Sequence, residues 1–146
     1  MLDTVRDEQA LDLFAGTGAL GIEALSRGAK RAVFVERDGA ALAALRANLE
    51  SLGLREREAE VRRAEALGAL RTAREHSETY DLVLVDPPYR RASELGGELA
   101  LALESLLEPQ ARVVVESDRR APLELPWEIE KERRYGDTTI TIHRHV

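Results

Sequence analysis

The sequence contains no cysteine, and this absence removes several kinds of chemistry at once. Without thiol groups the chain forms no disulfide bond, no thiolate metal site and no covalent intermediate on a cysteine nucleophile. A chain without cysteine is also compatible with the reducing cytosol, so we expect a cytoplasmic location.

Long apolar runs are missing as well. No stretch approaches the roughly 20 apolar residues that span a bilayer, and no basic segment followed by an apolar one opens the chain. We therefore expect neither secretion nor a membrane partner.

Histidine is scarce, and the three histidines are His76, His143 and His145. The last two are at strand spacing near the C-terminus with no carboxylate motif beside them, so we expect solvent-facing rings and no metal site.

Lysine is nearly absent, since only Lys30 and Lys131 occur among the 21 basic residues. The positive charge is therefore carried by arginine, which can donate two hydrogen bonds to one phosphate and also forms ordinary surface ion pairs. The net charge of −6 neither requires nor excludes a nucleic-acid partner. With 146 residues the chain can bury a full core, and we expect a single catalytic domain over residues 1–146. No feature of the sequence selects an oligomeric state.

Strand and helix patterns alternate along the chain, which predicts an α/β fold with a mostly parallel sheet. After the last parallel strand, two segments of period two flank Gly136 and Asp137, and a glycine first in a two-residue loop favours a type II′ hairpin. We predict strands over 10–14, 31–36, 58–63, 80–86, 111–116, 128–135 and 138–144, and helices over 19–27, 38–52, 65–76 and 93–107.

A glycine-rich loop, GTGALG over residues 16–21, lies between the first predicted strand and the first helix. Such a loop lets a nucleotide approach the backbone, although a tight turn that binds nothing is the alternative. Asp12 precedes the loop and would repel a pyrophosphate, whereas it would attract a cation. S-adenosylmethionine has an ammonium, a sulfonium and no phosphate, so we predict that cofactor. The alternative role of Asp12 is a helix cap or turn carboxylate.

Glu36 ends the second predicted strand, where an acidic side chain can accept hydrogen bonds from ribose hydroxyls. Asp38 suits the N-cap of the following helix. Glu65 begins the helix after the third strand, where its carboxylate or the N–H of Ala66 could reach an adenine edge. A first-turn glutamate stabilised by the helix dipole is an equally good interpretation of Glu65.

The segment Asp86-Pro87-Pro88-Tyr89 follows an apolar run and so lies at the tip of a buried strand. Asp86 and the carbonyl of Pro87 can accept the two N–H groups of an amine, and Tyr89 can stack on a flat ring. These roles amount to positioning and electrostatic stabilisation, and they need no covalent intermediate. The segment therefore predicts methyl transfer to the exocyclic amine of a base, with a surface Asp-Pro turn as the alternative.

Four segments together resemble the bacterial 16S ribosomal RNA guanine-N2 methyltransferases of the RsmD type. They are LDLFAGTGALGIEALSRGA at 11–29, FVERD at 34–38, LVDPPYRR at 84–91 and RYGDTTITI at 134–142. The first and last segments are the more specific ones, whereas the glycine loop and the Asp-Pro-Pro-Tyr motif occur in amino-methyltransferases generally.

The resemblance implies a Rossmann-like class I methyltransferase fold that uses S-adenosylmethionine to methylate a guanine N2 in 16S rRNA, within a partly assembled 30S subunit. Relatives of this type carry a basic RNA-contacting segment upstream of the first strand, which we expect to be missing here. Arg90, Arg91, Arg133 and Arg134 are the remaining candidate phosphate contacts. The predicted acceptor site is Asp86, Pro87, Pro88 and Tyr89, and the predicted cofactor residues are Asp12, Phe14, Gly16, Thr17, Gly18, Glu36, Arg37, Glu65, Ala66 and Asp86.

Three other functions stay open at this point. The same chemistry could act on an amine of another base in DNA or RNA, or on a different planar amine. The chain could also be a truncated cofactor-binding domain without activity. A domain that binds NAD is disfavoured by Asp12.

Overall fold

The computed structural model describes residues 5–88 and 92–146, and within them seven strands form one sheet. The strands are β1 (Gln9–Asp12), β2 (Arg31–Glu36), β3 (Ala59–Arg63), β4 (Tyr80–Val85), β5 (Leu107–Asp118), β6 (Glu128–Tyr135) and β7 (Thr138–Arg144). The helices are α1 (Ala19–Ser26), α2 (Gly39–Ser51), α3 (Ala66–Glu75) and α4 (Ala92–Leu103), and a 3₁₀ turn covers Glu104–Leu106.

The strand order is β3-β2-β1-β4-β5-β7-β6. Strands β1 to β5 pair in parallel, whereas β7 runs antiparallel to both β5 and β6. This arrangement confirms the predicted mostly parallel sheet with an antiparallel C-terminal hairpin. The chain moves outward from β1 to β3 and then crosses back to β4, so the order reverses between β1 and β4. A ligand in such a sheet binds at the carboxyl ends of the strands near that reversal.

Helices cover both faces of the sheet. One core cluster joins α1 and α2 to one face, and a second joins α3 and α4 to the other. The run from Leu82 to Val85 is buried throughout and supplies side chains to both clusters alternately, as a central parallel strand requires. No helix in the described part of the chain is long and apolar enough to cross a bilayer.

Two local predictions from the sequence are confirmed at the ends of elements. The carboxylate of Asp38 accepts a hydrogen bond from the backbone N–H of Ala41 at 2.9 Å, so it caps α2. The β6–β7 loop contains Gly136 with a φ of 60°, while Asp137 has no positive φ. That combination is typical of the predicted type II′ turn.

The predicted helix over 93–107 is too long at its C-terminal end. Helix α4 ends at Leu103, and β5 begins at Leu107 instead of residue 111. The sequence there is apolar at helical spacing, which predicts a helix. Leu107 instead pairs with Tyr80 of β4, so it belongs to the sheet.

The prediction of solvent-facing histidines is wrong for His143, which is 2% exposed. Its Nδ1 donates a hydrogen bond to the carbonyl oxygen of Trp127 at 2.9 Å, and this bond replaces the water that the ring loses. His145 is also partly covered and lies edge-on to Trp127, with a distance of 6.1 Å between the ring centroids.

Helix α4 packs closely against the segment after β5, and two adjacent glycines in it provide a matched test. A Cβ added to Gly96 would lie 2.5 Å from the carbonyl oxygen of Glu124, whereas a Cβ on Gly97 would meet nothing within 4 Å. We expect Gly96→Ala to lower the free energy of unfolding by about 1–3 kcal/mol through overpacking. Gly97→Ala should raise it by up to about 1 kcal/mol because alanine favours a helix. Urea denaturation measures both; equal effects of the two substitutions would contradict this packing.

Candidate functional site

A cavity of about 320 Å³ opens at the carboxyl edge of the sheet, beside the point where the strand order reverses. It lies between the ends of β1, β2 and β4 and the first turn of α3, and α4 closes one side. Its volume is at the lower end of the range for small-molecule sites. The lining residues are Leu13, Phe14, Gly16, Val35, Glu36, Arg37, Ala64, Glu65, Ala66, Leu67, Asp86, Pro88, Leu95 and Leu99.

The carboxylate of Glu36 holds the rim of this cavity together. Its Oε1 accepts a hydrogen bond from the backbone N–H of Gly16 at 2.8 Å. Its Oε2 accepts two more, from the backbone N–H groups of Arg37 and Asp38, each at 2.9 Å. A carboxylate has about four acceptor positions, so three bonds leave room for a hydroxyl donor from the cavity. Glu36 thus joins the loop after β1 to the turn after β2.

The glycines of the loop have separate physical roles. Gly16 has a φ of 56° and lines the cavity, and a Cβ there would meet no atom within 4 Å, so the backbone faces open space. Gly18 has a φ of 91°, and a Cβ there would lie 2.4 Å from Leu45 Cδ1. Gly18 is therefore required by the packing of α1 against α2. Only Gly16 is placed to let a ligand approach the backbone.

Asp12 is buried beneath the first turn of α1, with 1% of its surface exposed. Its Oδ2 accepts a hydrogen bond from the N–H of Gly21 at 3.0 Å, while its Oδ1 has no partner. Burial raises the pKa of Asp12 to about 7; the bond from Gly21 opposes this shift, and the charges of Asp86 and Glu36 add to it. An unpaired buried carboxylate oxygen of this kind suits a cationic partner.

Asp86 follows the last residue of β4 and lies at the mouth of the cavity. Neighbouring atoms remove enough water to raise the pKa of its carboxyl to about 6, and the charge of Glu116 contributes to the shift. The group still ionises near neutral pH, when it can only accept hydrogen bonds. Pro88 also lines the cavity, whereas Pro87 is buried behind it.

The first turn of α3 forms the far wall. Glu65 is the N-cap residue of this helix, and its Oε2 accepts a hydrogen bond from the N–H of Gly68 at 2.9 Å. This geometry matches the structural interpretation of Glu65, yet its side chain still borders the cavity together with Ala66. The wall between them and β2 is apolar, which suits a flat ring.

The predicted site residues are mostly brought together. The cavity is lined by seven of the ten predicted cofactor residues, namely Phe14, Gly16, Glu36, Arg37, Glu65, Ala66 and Asp86, and by Pro88 of the predicted acceptor site. Asp12, Thr17, Gly18 and Pro87 lie nearby without lining it. The carbonyl oxygen of Thr17 instead accepts a hydrogen bond from Asn48 at 2.9 Å. Tyr89, Arg90 and Arg91 lie outside the described residues.

Sequence reasoning did not identify the apolar lining. These residues end strands or follow the helix period, so their pattern indicates core and carries no separate signal for a ligand. Three of them, Leu13, Val35 and Leu99, belong to the core cluster under α3 and α4. The full set that the sequence did not single out is Leu13, Val35, Ala64, Leu67, Leu95 and Leu99.

These groups fit a nucleoside that carries a cationic amino acid part. Glu36 has an acceptor position left for a ribose hydroxyl, and Gly16 offers an open backbone beside it. Asp12 lies nearby, and the unpaired Oδ1 of its buried carboxyl would gain a partner from a cation. Carboxylates at three places around the cavity disfavour a polyphosphate.

The chain matches the family described as conserved hypothetical protein 95 over residues 1–144. It is 31% identical to the Ribosomal RNA small subunit methyltransferase D of Haemophilus influenzae over 147 residues, which cover 99% of this chain and 76% of that protein. The protein of the same name from Escherichia coli K12 is 35% identical over 143 residues, or 94% of this chain and 69% of that protein. A solved structure, a conserved hypothetical protein from Streptococcus pyogenes, is 34% identical with a TM-score of 0.84, covering 98% of this chain and 89% of that one.

The burial of Asp12 predicts a stability that depends on pH. Because its pKa rises from 3.8 to about 7 on folding, the folded state holds the proton more tightly, and the stability present below pH 4 is lost as the pH rises through 7. The whole effect is about 4 kcal/mol at most, from roughly 1.4 kcal/mol for each pKa unit.

Asp12→Asn removes this titration. We expect the free energy of unfolding of the variant, relative to the unaltered chain, to improve by about 2.6 kcal/mol between pH 5 and pH 8. Urea denaturation of both proteins at the two pH values measures this change. A constant difference at the two pH values would show that Asp12 ionises normally in the fold.

Proposed function

The chain belongs to the family described as conserved hypothetical protein 95, that of the RsmD-type methyltransferases, and on that premise we propose that it methylates the N2 amine of a guanine in 16S rRNA. S-adenosylmethionine supplies an electrophilic methyl group on a sulfonium when bound. The observation that carries the proposal is the position of Asp86, an ionisable acceptor at the mouth of a cavity that suits this cofactor. A partly assembled 30S subunit in the cytoplasm is the proposed substrate particle.

Four parts of the site would contact the cofactor. Glu36 and Gly16 would bind the ribose side of the cofactor, and the first turn of α3 would border its base. Asp12, when ionised, would provide the negative charge for its ammonium. Together these residues would hold the cofactor at the edge of the sheet, near Asp86 and the acceptor amine.

Asp86 acts on the acceptor amine. The lone pair of an aromatic amine is delocalised into its ring, so the amine is a poor nucleophile until it is held in a pyramidal form. A carboxylate that accepts one N–H bond holds it so and stabilises the positive charge that develops on nitrogen. No strong base is needed, because the methylated amine is acidic enough to release its proton to Asp86 or to water.

Labelled methyl transfer tests the function directly. We expect incorporation from S-adenosylmethionine into 30S subunits that lack N2-methylguanine, at one guanine N2. Naked 16S rRNA and duplex DNA are run beside them. Methylation of the DNA alone, or of an adenine or cytosine amine, would contradict the proposed substrate and leave the cofactor assignment intact.

The role of Glu36 is tested by Glu36→Gln. This substitution removes one acceptor oxygen, so we expect the affinity for S-adenosylmethionine to fall by about 1–3 kcal/mol, measured by calorimetry. Asp38→Ala is the control, since it loses only the cap of α2 at Ala41. The control should cost about 1 kcal/mol of stability and leave the cofactor affinity unchanged. Equal affinities of Glu36→Gln and the unaltered chain would restrict Glu36 to a structural role.

The role of Asp86 is tested by Asp86→Ala. We expect kcat to fall by at least about 100-fold, because an electrostatic positioning group is lost, while the cofactor affinity stays unchanged. In the unaltered chain kcat/KM should rise with pH through about 6, as the carboxyl of Asp86 ionises and becomes an acceptor. Near-normal turnover of Asp86→Ala, or a flat profile between pH 5 and pH 7, would remove Asp86 from the reaction.

A further inference from the structure

A second carboxylate stands beside Asp86. In the parallel pair of β4 and β5, Val85 lies opposite Val115, so the next residues, Asp86 and Glu116, follow on neighbouring strands at the carboxyl edge. Neighbouring strands are about 4.8 Å apart. Val114, two residues before Glu116 on β5, belongs to the core cluster under α1 and α2, and side chains alternate along a strand. Glu116 therefore faces the side of the sheet that holds α1 and α2.

Neither carboxylate is neutralised within the described part of the chain. Glu116 is half-buried, and no hydrogen bond or ion pair is found for it or for Asp86 among the described residues. The two groups are close enough for the charge of Glu116 to raise the pKa of Asp86. Two like charges held side by side repel each other, and such pairs are typical of sites that bind or react.

Base edges differ in what they offer to such a pair. In guanine the N2 amine stands next to the N1–H, so two donors lie side by side. In adenine and cytosine the amine stands next to a bare ring nitrogen, whose lone pair faces any neighbouring acceptor. Two adjacent carboxylates therefore match guanine, while the second carboxylate would repel the other two bases.

We propose that Glu116 accepts the N1–H of the target guanine while Asp86 holds its N2 amine, so that Glu116 selects guanine among the bases. This inference rests on the proposed function and adds the residue that determines its specificity. In the step itself the N2 lone pair forms a bond to the methyl carbon, the carbon–sulfur bond breaks with its electron pair on sulfur, and one N2 proton leaves to Asp86 or water. The N1–H is not consumed, so Glu116 acts by positioning.

The test compares guanine with 2-aminopurine at the target position of an RNA oligonucleotide, chosen after the labelled methyl group has been mapped in 16S rRNA. The two bases share the amine, but 2-aminopurine has a bare N1. We expect the unaltered chain to prefer guanine by at least about 10-fold in kcat/KM, because a site built to accept an N–H rejects an analogue that lacks it.

Glu116→Gln should raise kcat/KM on 2-aminopurine and lower it on guanine. A glutamine can donate its amide N–H to the bare N1, so we expect methylation of 2-aminopurine to rise and the ratio of kcat/KM values to fall to within about 3-fold. A rise in activity on one base cannot come from misfolding. Glu132→Gln, on the exposed strand β6, is the matched control and should keep the ratio of the unaltered chain.

Three outcomes would overturn the inference, and they separate it from the proposed function. A ratio in Glu116→Gln equal to that of the unaltered chain removes Glu116 from base recognition. An unaltered chain that methylates guanine and 2-aminopurine equally has no selection at N1, although the function stands. Methylation of adenine or cytosine alone removes both the base assignment and the role of Glu116.

Discussion

The candidate site depends on the three hydrogen bonds that the carboxylate of Glu36 accepts. Two of them come from the turn that begins after β2, and the third comes from Gly16 in the loop after β1. The bonds from Arg37 and Asp38 are exposed, whereas the bond from Gly16 is partly buried, so one carboxylate joins both loops at the carboxyl edge. The cavity lies between these two joined loops on one side and α3 and α4 on the other.

Negative charge is the common property of the site. Asp12, Asp86 and Glu116 occupy neighbouring strands at the carboxyl edge. Burial raises the pKa of Asp12 and of Asp86, and the charges of neighbouring carboxylates add to both shifts. Such a site gains most from ligands that bring cations or N–H donors, and a sulfonium cofactor with an ammonium and a guanine edge are ligands of these two kinds. The same charges thus favour the proposed complex.

The sequence predicted the fold closely because most local signals agreed with it. The bounds of β6 and β7 follow from alternation, those of β2 from its apolar run, and the cap at Asp38 from capping preference. The end of α4 did not, because pairing in the sheet overrides helix periodicity at Leu107. The burial of His143 was also missed, since its hydrogen bond to Trp127 joins residues distant in sequence.

For the site, polar residues at strand ends were predictable and their partners were not. Glu36 was identified from its distance to the glycine loop, yet its three backbone bonds depend on how two loops meet. The apolar wall could not be predicted from the sequence, because core residues and cavity-lining residues follow the same hydrophobic pattern. Glu116 was missed for a similar reason: it follows the apolar run of β5 without a motif, and only the register that sets Val115 beside Val85 places it next to Asp86.

The acidity of the site has a consequence for an RNA substrate. A phosphate brought near these carboxylates would be repelled, and the repulsion falls off over a screening length of about 8 Å at physiological ionic strength. A base in the proposed complex must therefore enter without its phosphates, by rotating out of the stack so that only its donor edge reaches Asp86 and Glu116. The backbone then stays outside the cavity, and the exposed Arg133 and Arg134 of β6 are candidate phosphate contacts. The net charge of −6 is compatible with an RNA substrate in this complex. The carboxylates of the site would contact a neutral base, and the phosphates would remain outside the cavity.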